Sequence, residues 1–183
     1  MSHYDLIVIG SGPAGRAAAI QAGKLKRNVL VVERSGRMGG VSVHTGTIPS
    51  KTLRETVLNL SGWRERSFYG RSYRVKDQIN AGDLKARMHM TLDHEVDVLE
   101  HQFARNHVTT VEGVARFVGE HDIEITNETG EVSRLTADRF LISTGTRPYR
   151  PEYVPFNGTN ILDSDEFLEL SQIPRSLIVV GAG

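Results

Sequence analysis

Two groups of residues near the start of this chain have types and spacings suited to holding a nucleotide. Gly10-Ser11-Gly12-Pro13-Ala14-Gly15 fits the pattern GxGxxG. The first glycine of such a run permits a tight turn, the second lets main chain approach a diphosphate, and the third lets the following helix pack close to a strand. Pro13 and Ala14 would open that helix, so its free N–H groups and positive dipole end would face the phosphates. Glu33 then ends the next apolar run, at the spacing expected of a carboxylate that accepts hydrogen bonds from an adenosine ribose, with Arg34 beside it. Its charge would repel a 2′-phosphate, so an unphosphorylated ribose is expected, as in FAD or NAD. Taken singly, each signal has a plainer reading: a glycine turn as a structural device, and a solvated glutamate at a strand end.

A third group lies at VSVHTGTIPSK, residues 41 to 51, preceded by Gly39 and Gly40. The stretch offers hydroxyls at Ser42 and Thr47, an imidazole at His44 and an ammonium at Lys51, with Gly46 between them. Lys51 is expected in the first turn of a helix, where a cation meets the unfavourable dipole end at a cost of roughly 0.3 to 1 kcal/mol and calls for compensation nearby. A surface lysine bending into solvent is the alternative.

The elements that would position these groups follow from hydrophobic patterning. DLIVI (5 to 9) and NVLVVE (28 to 33) are apolar, β-branched runs suited to buried parallel strands, and the Ala-rich stretch between them favours a helix. Together they predict a βαβ unit. Residues 51 to about 60 favour a second helix, and 61 to 80 reads as a polar and aromatic surface excursion. From about Ala81 to Asn106, Leu84, Met88, Leu92, Val96, Leu99 and Phe103 fall at steps of three and four, predicting one apolar stripe on a long helix. HVTTVEGVARFV predicts two short strands around Glu112-Gly113, and residues 121 to 144 alternate like a β-meander turning near Thr129-Gly130. A further buried strand is expected from Phe140 to Ser143, ending at Gly145. SDEFLEL predicts a short capped helix, and SLIVVGAG a strand entering a second glycine turn.

Composition narrows the classes. The chain has 183 residues, with 22 basic and 22 acidic side chains and no cysteine. Balanced charge supplies no one-signed field for nucleic acid or an anionic membrane. Without cysteine there is no disulfide framework, thiolate metal site or cysteine nucleophile. The apolar N-terminal stretch is broken by Gly, Pro and Arg16 and lacks a basic leader, so it reads as fold; a soluble, cytoplasmic protein is expected. His89, His94 and His101 share the long helix, but neutral surface imidazoles explain them with fewer assumptions than a metal site.

GRMGGVSVHTGTIPSK resembles the flavoprotein disulfide reductases, whose pattern at this place is GG, a cysteine, four residues, a second cysteine and IPSK. Ser42 and Thr47 stand at the two cysteine positions. Hydroxyls have no accessible two-electron thiol couple, so a dithiol relay is absent. Within that superfamily the chain is most similar to the soluble pyridine nucleotide transhydrogenases, through His44 and the run GTIPSK, then ARNHVTTVEGVARFV, FLISTGTRPYRP and ILDSDEFL. Ser42 departs from them, since the first cysteine is usually retained there.

The resemblance implies an α/β, Rossmann-like FAD-binding domain with a parallel sheet, long helices and an antiparallel β-meander over residues 1 to 150. Residues 151 to 183 would be a linker and the first strand of an incomplete NAD(P)-binding domain. It implies Lys51 beside flavin N5, paired with a glutamate beyond Gly183, and places the His44 loop near the flavin. Val114 and Ala115 would pair by backbone with the adenine edge, and Ser143-Thr144-Gly145 would close over the dinucleotide. The implied reaction is hydride transfer from NADPH to NAD+ through FAD, by a protein that is a homodimer at full length, the isolated 183-residue chain being inactive. A thiol-less relative of dihydrolipoamide or mercuric reductase, or a cofactor-binding module without turnover, are the alternatives.

Overall fold

The apolar runs of the sequence become the centre of a sheet. In the computed structural model, which describes residues 2–70, 75–76 and 78–181, the first run is β1 (His3–Ile9) and the Ala-rich stretch is α1 (Pro13–Lys24). The second run is β2 (Val29–Glu33), in which all five residues are buried. β1 and β2 pair in parallel, Leu6 opposite Val29 and Ile9 opposite Val32. This is the expected βαβ unit. The side of α1 that carries Gly15 and Ala19 is buried, small residues there letting helix and sheet approach closely.

Five further elements complete the first of two compact units, which comprises Met1–Ile48 and Leu92–Arg147. The short helix α2 (Gly40–His44) carries the serine-histidine loop. After it come α3 (Thr47–Leu60), α4 (Arg66–Tyr69) and α5 (Ala81–Arg105), of which α3 and α5 divide their residues between the units. β3 (Val108–Glu112) joins β2 in parallel, and β4 (Val114–Phe117), β5 (Asp122–Thr126) and β6 (Val132–Ile142) form the meander. The six strands make one sheet in the order β3-β2-β1-β6-β5-β4, a mixed α/β architecture as expected. Its core joins Ile7, Leu30 and Val32 from the parallel half to Ile123, Ile125 and Ala137 from the meander. Each Val, Leu or Ile side chain among them, once fully buried, stabilises the unit by roughly 1.5 to 3 kcal/mol. The stripe predicted for α5 is buried at Met88, Leu92, Val96, Leu99 and Phe103.

β6 corrects one expectation. No separate buried strand begins at Phe140; a single strand of 11 residues runs from Val132 to Ile142. Its first half pairs antiparallel with β5, and from Thr136 onward it pairs in parallel with β1, so Thr136 stands opposite both Asp122 and His3. The change of partner lets one strand serve both halves without a break. Its end is half-buried to exposed, with Ile142 64% accessible.

The second unit comprises Pro49–Thr91 and Pro148–Gly183. Lys85 Nζ donates to the Glu169 carbonyl at 2.7 Å, tying the first half of α5 to the later segment. The expected capped helix is α6 (Ser164–Phe167), whose Asp163 and Glu166 make a reciprocal capping box. SLIVV is not a strand: it has no neighbour to ladder with among the described residues, and Ile178 and Val180 are 88% and 94% exposed. Backbone pairing needs a second chain segment that apolar patterning alone does not supply. α3 begins at Thr47, four residues before the expected start, which puts Lys51 at its fifth residue rather than in its first turn. Part of the excursion, residues 71 to 74 and 77, lies outside the described residues.

Candidate functional site

The carboxyl ends of β1, β2 and β6 meet in the first unit, with β2 and β6 on opposite sides of β1. At such a switch point the loops after the strands diverge and leave a crevice. The loop after β1 is the glycine run, and each glycine has its own geometry. Gly10 has φ +102°, and a Cβ there would lie 2.3 Å from the Ser143 carbonyl oxygen. At Gly15 a Cβ would lie 2.0 Å from the Gly10 carbonyl oxygen and 2.6 Å from Ser143 Oγ. Over Gly12, by contrast, a Cβ would meet nothing within 4 Å. The first and third glycines are thus required by packing; the second opens onto space at the N-terminus of α1. There Pro13 and Ala14 stand at the start of the helix, and Gly12 caps it without a side-chain bond. A diphosphate suits that end because unpaired N–H groups and the helix dipole both favour an anion.

Ser143 holds this turn in place. Its N–H donates to the Ile9 carbonyl at 2.8 Å, and its hydroxyl lies 3.1 Å from the Ile9 carbonyl and 2.9 Å from that of Gly10. The residue assigned to a closing turn therefore acts on the glycine loop from behind. Thr144 and Gly145 follow it exposed, Gly145 at φ +73°.

Glu33 is 7% exposed, yet its carboxylate is fully engaged. Oε2 accepts from Ser11 N at 3.0 Å and Ser11 Oγ at 2.6 Å; Oε1 accepts from Ser35 N at 3.2 Å and Ser35 Oγ at 3.0 Å. Burial pushes this carboxyl up, but the four donors from Ser11 and Ser35 outweigh it and hold the group below its ordinary value, hence ionised. Ser11 also accepts from Gly39 N at 2.9 Å, so a relay runs from the Gly39 amide through the Ser11 hydroxyl to Glu33. It joins the loop after β1 and the end of β2 to Gly39, the N-cap of α2. Gly39 and Gly40 both take positive φ, +120° and +59°, and a Cβ on Gly40 would lie 3.0 Å from the Gly12 Cα. Arg34 is exposed beside Glu33.

Ser11 and Ser35 were not legible as site residues, since Ser11 fills an unspecified position of the motif and Ser35 lies outside it, two residues after Glu33. The signal that could have found them is a hydroxyl placed to reach the end of β2, visible only once the loops are folded.

In α2, Ser42 is half-buried, and His44 Nε2 lies 3.0 Å from the Met38 carbonyl. Because the partner is a carbonyl, that nitrogen carries the hydrogen, which leaves Nδ1 for any exchange of protons. Gly46 N donates to the Val41 carbonyl at 2.6 Å, closing the turn that leads to Thr47, which is exposed at the start of α3. Lys51 belongs to the second unit and is exposed, with no carboxylate partner among the described residues. At the far end of β2, Gly113 N donates to the Glu33 carbonyl at 2.9 Å and orients Val114 and Ala115 of β4, of which Val114 is 59% exposed. Within the first unit, then, the structure gathers Gly10, Gly12, Gly15, Glu33, Gly39, Gly40 and Ser143 at the carboxyl ends of β1, β2 and β6.

Among the described residues no group of three or more His, Asp or Glu side chains stands close enough to hold a metal ion, and no helix is long and apolar enough to cross a membrane.

Comparison with known proteins identifies the family. A family model for pyridine nucleotide-disulphide oxidoreductases matches residues 4–183. A protein of Mycobacterium tuberculosis (strain ATCC 25177 / H37Ra) named soluble pyridine nucleotide transhydrogenase is 50% identical over 184 residues, covering 100% of this chain and 39% of the relative. Proteins of the same name from Pseudomonas paraeruginosa and Colwellia psychrerythraea are 38% and 35% identical, covering 99% and 98% of this chain and 39% and 38% of theirs. A crystal structure of LpdA from Mycobacterium tuberculosis superposes with a TM-score of 0.78 over 93% of this chain and 38% of that one; at 23% identity it speaks to the fold alone. The chain thus spans about two fifths of the length of the relatives it matches. With the family model running over almost every residue and the glycine crevice built as such a fold requires, this chain belongs to the pyridine nucleotide-disulphide oxidoreductase family.

Proposed function

We propose that this chain is the FAD-binding part of an oxidoreductase that moves hydride between NADPH and NAD+. The observation that carries the reading is the pairing of open space over Gly12 with an ionised, buried Glu33 at the end of the neighbouring strand. One suits a diphosphate on main chain, the other a ribose diol, and their separation by one βαβ unit suits an adenine dinucleotide. Pro13, Ala14 and the α1 amides would face the diphosphate, Glu33 and Arg34 the ribose, and Val114 and Ala115 the adenine edge. Gly39, Gly40, Ser42, Gly46 and Thr47 would line the route from diphosphate toward the reacting ring, with Thr144 and Gly145 opposite. Flavin, when bound, supplies the two-electron relay.

What the protein does around that relay follows from its own side chains. Ser11 fixes Glu33 and, through Gly39, the loop that precedes α2. His44 spends its Nε2 hydrogen on Met38 and so orients the α2 loop, Nδ1 remaining available to a proton. Lys51 is proposed, from the IPSK run alone, as the cation that acts on the flavin. Ser42 and Thr47 cannot take electrons as a dithiol would, and a second nicotinamide is the acceptor that the names of the relatives suggest.

The whole enzyme is proposed to be a cytoplasmic homodimer in which residues 151 to 183 lead into an NAD(P)-binding domain; the fragment alone is proposed to be inactive. The test is hydride transfer from NADPH to NAD+ by the full-length gene product loaded with FAD. Turnover supports the reading. A flavin-loaded sample that reduces quinone or oxygen but not NAD+ would overturn the transhydrogenase assignment while leaving the cofactor in place.

A further inference from the structure

Ser35 enters neither the motif nor the proposed set of ribose contacts, yet it touches the one carboxylate on which ribose recognition depends. An ionised carboxylate offers about four acceptor directions. All four on Glu33 are taken: two by Ser11 N and Oγ, two by Ser35 N and Oγ. A ribose hydroxyl can donate to Glu33 only where one of these donors lets go.

The four are not equally free to do so. Ser11 N and Ser35 N are main chain, and the Ser11 hydroxyl is buried and fixed on its other side by the Gly39 amide at 2.9 Å. The Ser35 hydroxyl differs in two respects. Its residue is exposed, and its oxygen lies 3.1 Å from the Arg37 carbonyl as well as 3.0 Å from Glu33 Oε1. A hydroxyl has one hydrogen for these two acceptors, so rotation of the O–H about the Cβ–Oγ bond can move the bond from Glu33 to Arg37 with no donor left unsatisfied.

We propose that Ser35 competes with the adenosine ribose for Glu33, its hydroxyl turning to the Arg37 carbonyl when the dinucleotide binds, and so limits how tightly the cofactor is held. The inference rests on the FAD reading above and adds to it a residue that tunes affinity without being a ribose anchor. The cost of the exchange is the difference between a hydrogen bond to a carboxylate and one to a neutral carbonyl, about fivefold in a dissociation constant.

The experiment is a titration of the full-length apoprotein with FAD, comparing wild type, Ser35→Ala, Glu33→Gln and the double variant. Ser35→Ala is expected to tighten FAD binding about fivefold and to lower the melting temperature of the apoprotein by a few degrees, since a hydrogen bond to the Glu33 carboxylate is lost. In the Glu33→Gln background the same substitution should have no effect, because the competition needs the charged acceptor. Unchanged or weaker FAD binding by Ser35→Ala would overturn the inference, as would an equal gain in both backgrounds. A wild-type protein that does not bind FAD at all would instead bring down the cofactor reading and this inference with it.

Discussion

Gly12→Ala separates folding from cofactor binding more cleanly than any other single change in the chain. The added methyl would meet nothing within 4 Å, and the backbone at φ −61° and ψ −179° is one that alanine adopts without strain. Alanine is a poorer N-cap than glycine by roughly 0.5 to 1 kcal/mol, and the entropy recovered from the unfolded chain, about 0.4 to 1 kcal/mol, largely offsets that. Stability should therefore change by less than about 0.5 kcal/mol, or roughly 2 °C in melting temperature for a domain of this size. Binding should behave differently, because the space over Gly12 is where main chain would approach the diphosphate. A methyl there forces the ligand outward from amides that act over hydrogen-bond distance, and losing even one such charge-assisted bond costs roughly 1.5 to 3 kcal/mol, about 10- to 150-fold in affinity. Thermal melts of the apoprotein followed by circular dichroism give the first number, and flavin fluorescence quenching on titration gives the second. A Gly12→Ala protein that melts like wild type and binds FAD with undiminished affinity would refute the placement of the diphosphate.

Gly15→Ala should do the reverse of a pure binding lesion, since its methyl would lie 2.0 Å from the Gly10 carbonyl oxygen and 3.0 Å from Val8 Cγ1; overpacking of this kind costs about 1 to 3 kcal/mol, and denaturant unfolding of the apoprotein would register it. Glu33→Gln removes a carboxylate that sits below the ordinary glutamate value of 4.5. A depressed folded-state pKa stabilises the fold above the unfolded value and loses that contribution as pH falls through the folded one, so wild type should lose more stability than Glu33→Gln between pH 6 and about 3. Equal slopes in urea titrations across that range would count against it. Asp163→Ala removes the cap of α6, to which Asp165 and Glu166 amides donate at 2.9 and 3.0 Å, together with the Arg150 contact at 2.7 Å. The expected loss is about 1 kcal/mol, read as faster hydrogen exchange at residues 164 to 168, with FAD affinity unaltered.

Much of the fold could be read from local pattern. The apolar β-branched runs ending at Ile9 and Glu33 had one plausible home, a parallel strand buried on both faces, and the alanines between them a helix close to that sheet. The stripe from Met88 to Phe103 was legible for the same reason: burial imposes its period on the sequence. Where pattern misled, a partner was the missing term. SLIVV reads as a strand, but a strand is half of a ladder, and no other half is paired with it among the described residues. Phe140 to Ser143 looked like a fresh element because polar Thr136, Asp138 and Arg139 interrupt the apolar alternation where β6 changes partners. At the site, glycines at fixed steps announced the turn, whereas the serines that hold Glu33 did not, because a hydroxyl in a loop takes its meaning from what the folded loop brings within 3 Å of it. His44 is a similar case, its imidazole turned to a carbonyl six residues back.

The shared strand makes the sheet a ruler for the crevice. Through Thr136 the meander fixes where β6 starts along β1, and seven residues later that register delivers the Ser143 amide to the Ile9 carbonyl. Changes in chain length between Asn127 and Glu131 can be absorbed in the hairpin, whose residues bond mainly to one another. One residue inserted between Thr136 and Ser143 would turn every following side chain to the opposite face and carry the Ser143 hydroxyl off the Gly10 carbonyl. Drift by insertion or deletion is thereby confined to the outer hairpin, and the glycine turn inherits a fixed measure from the strand beside it.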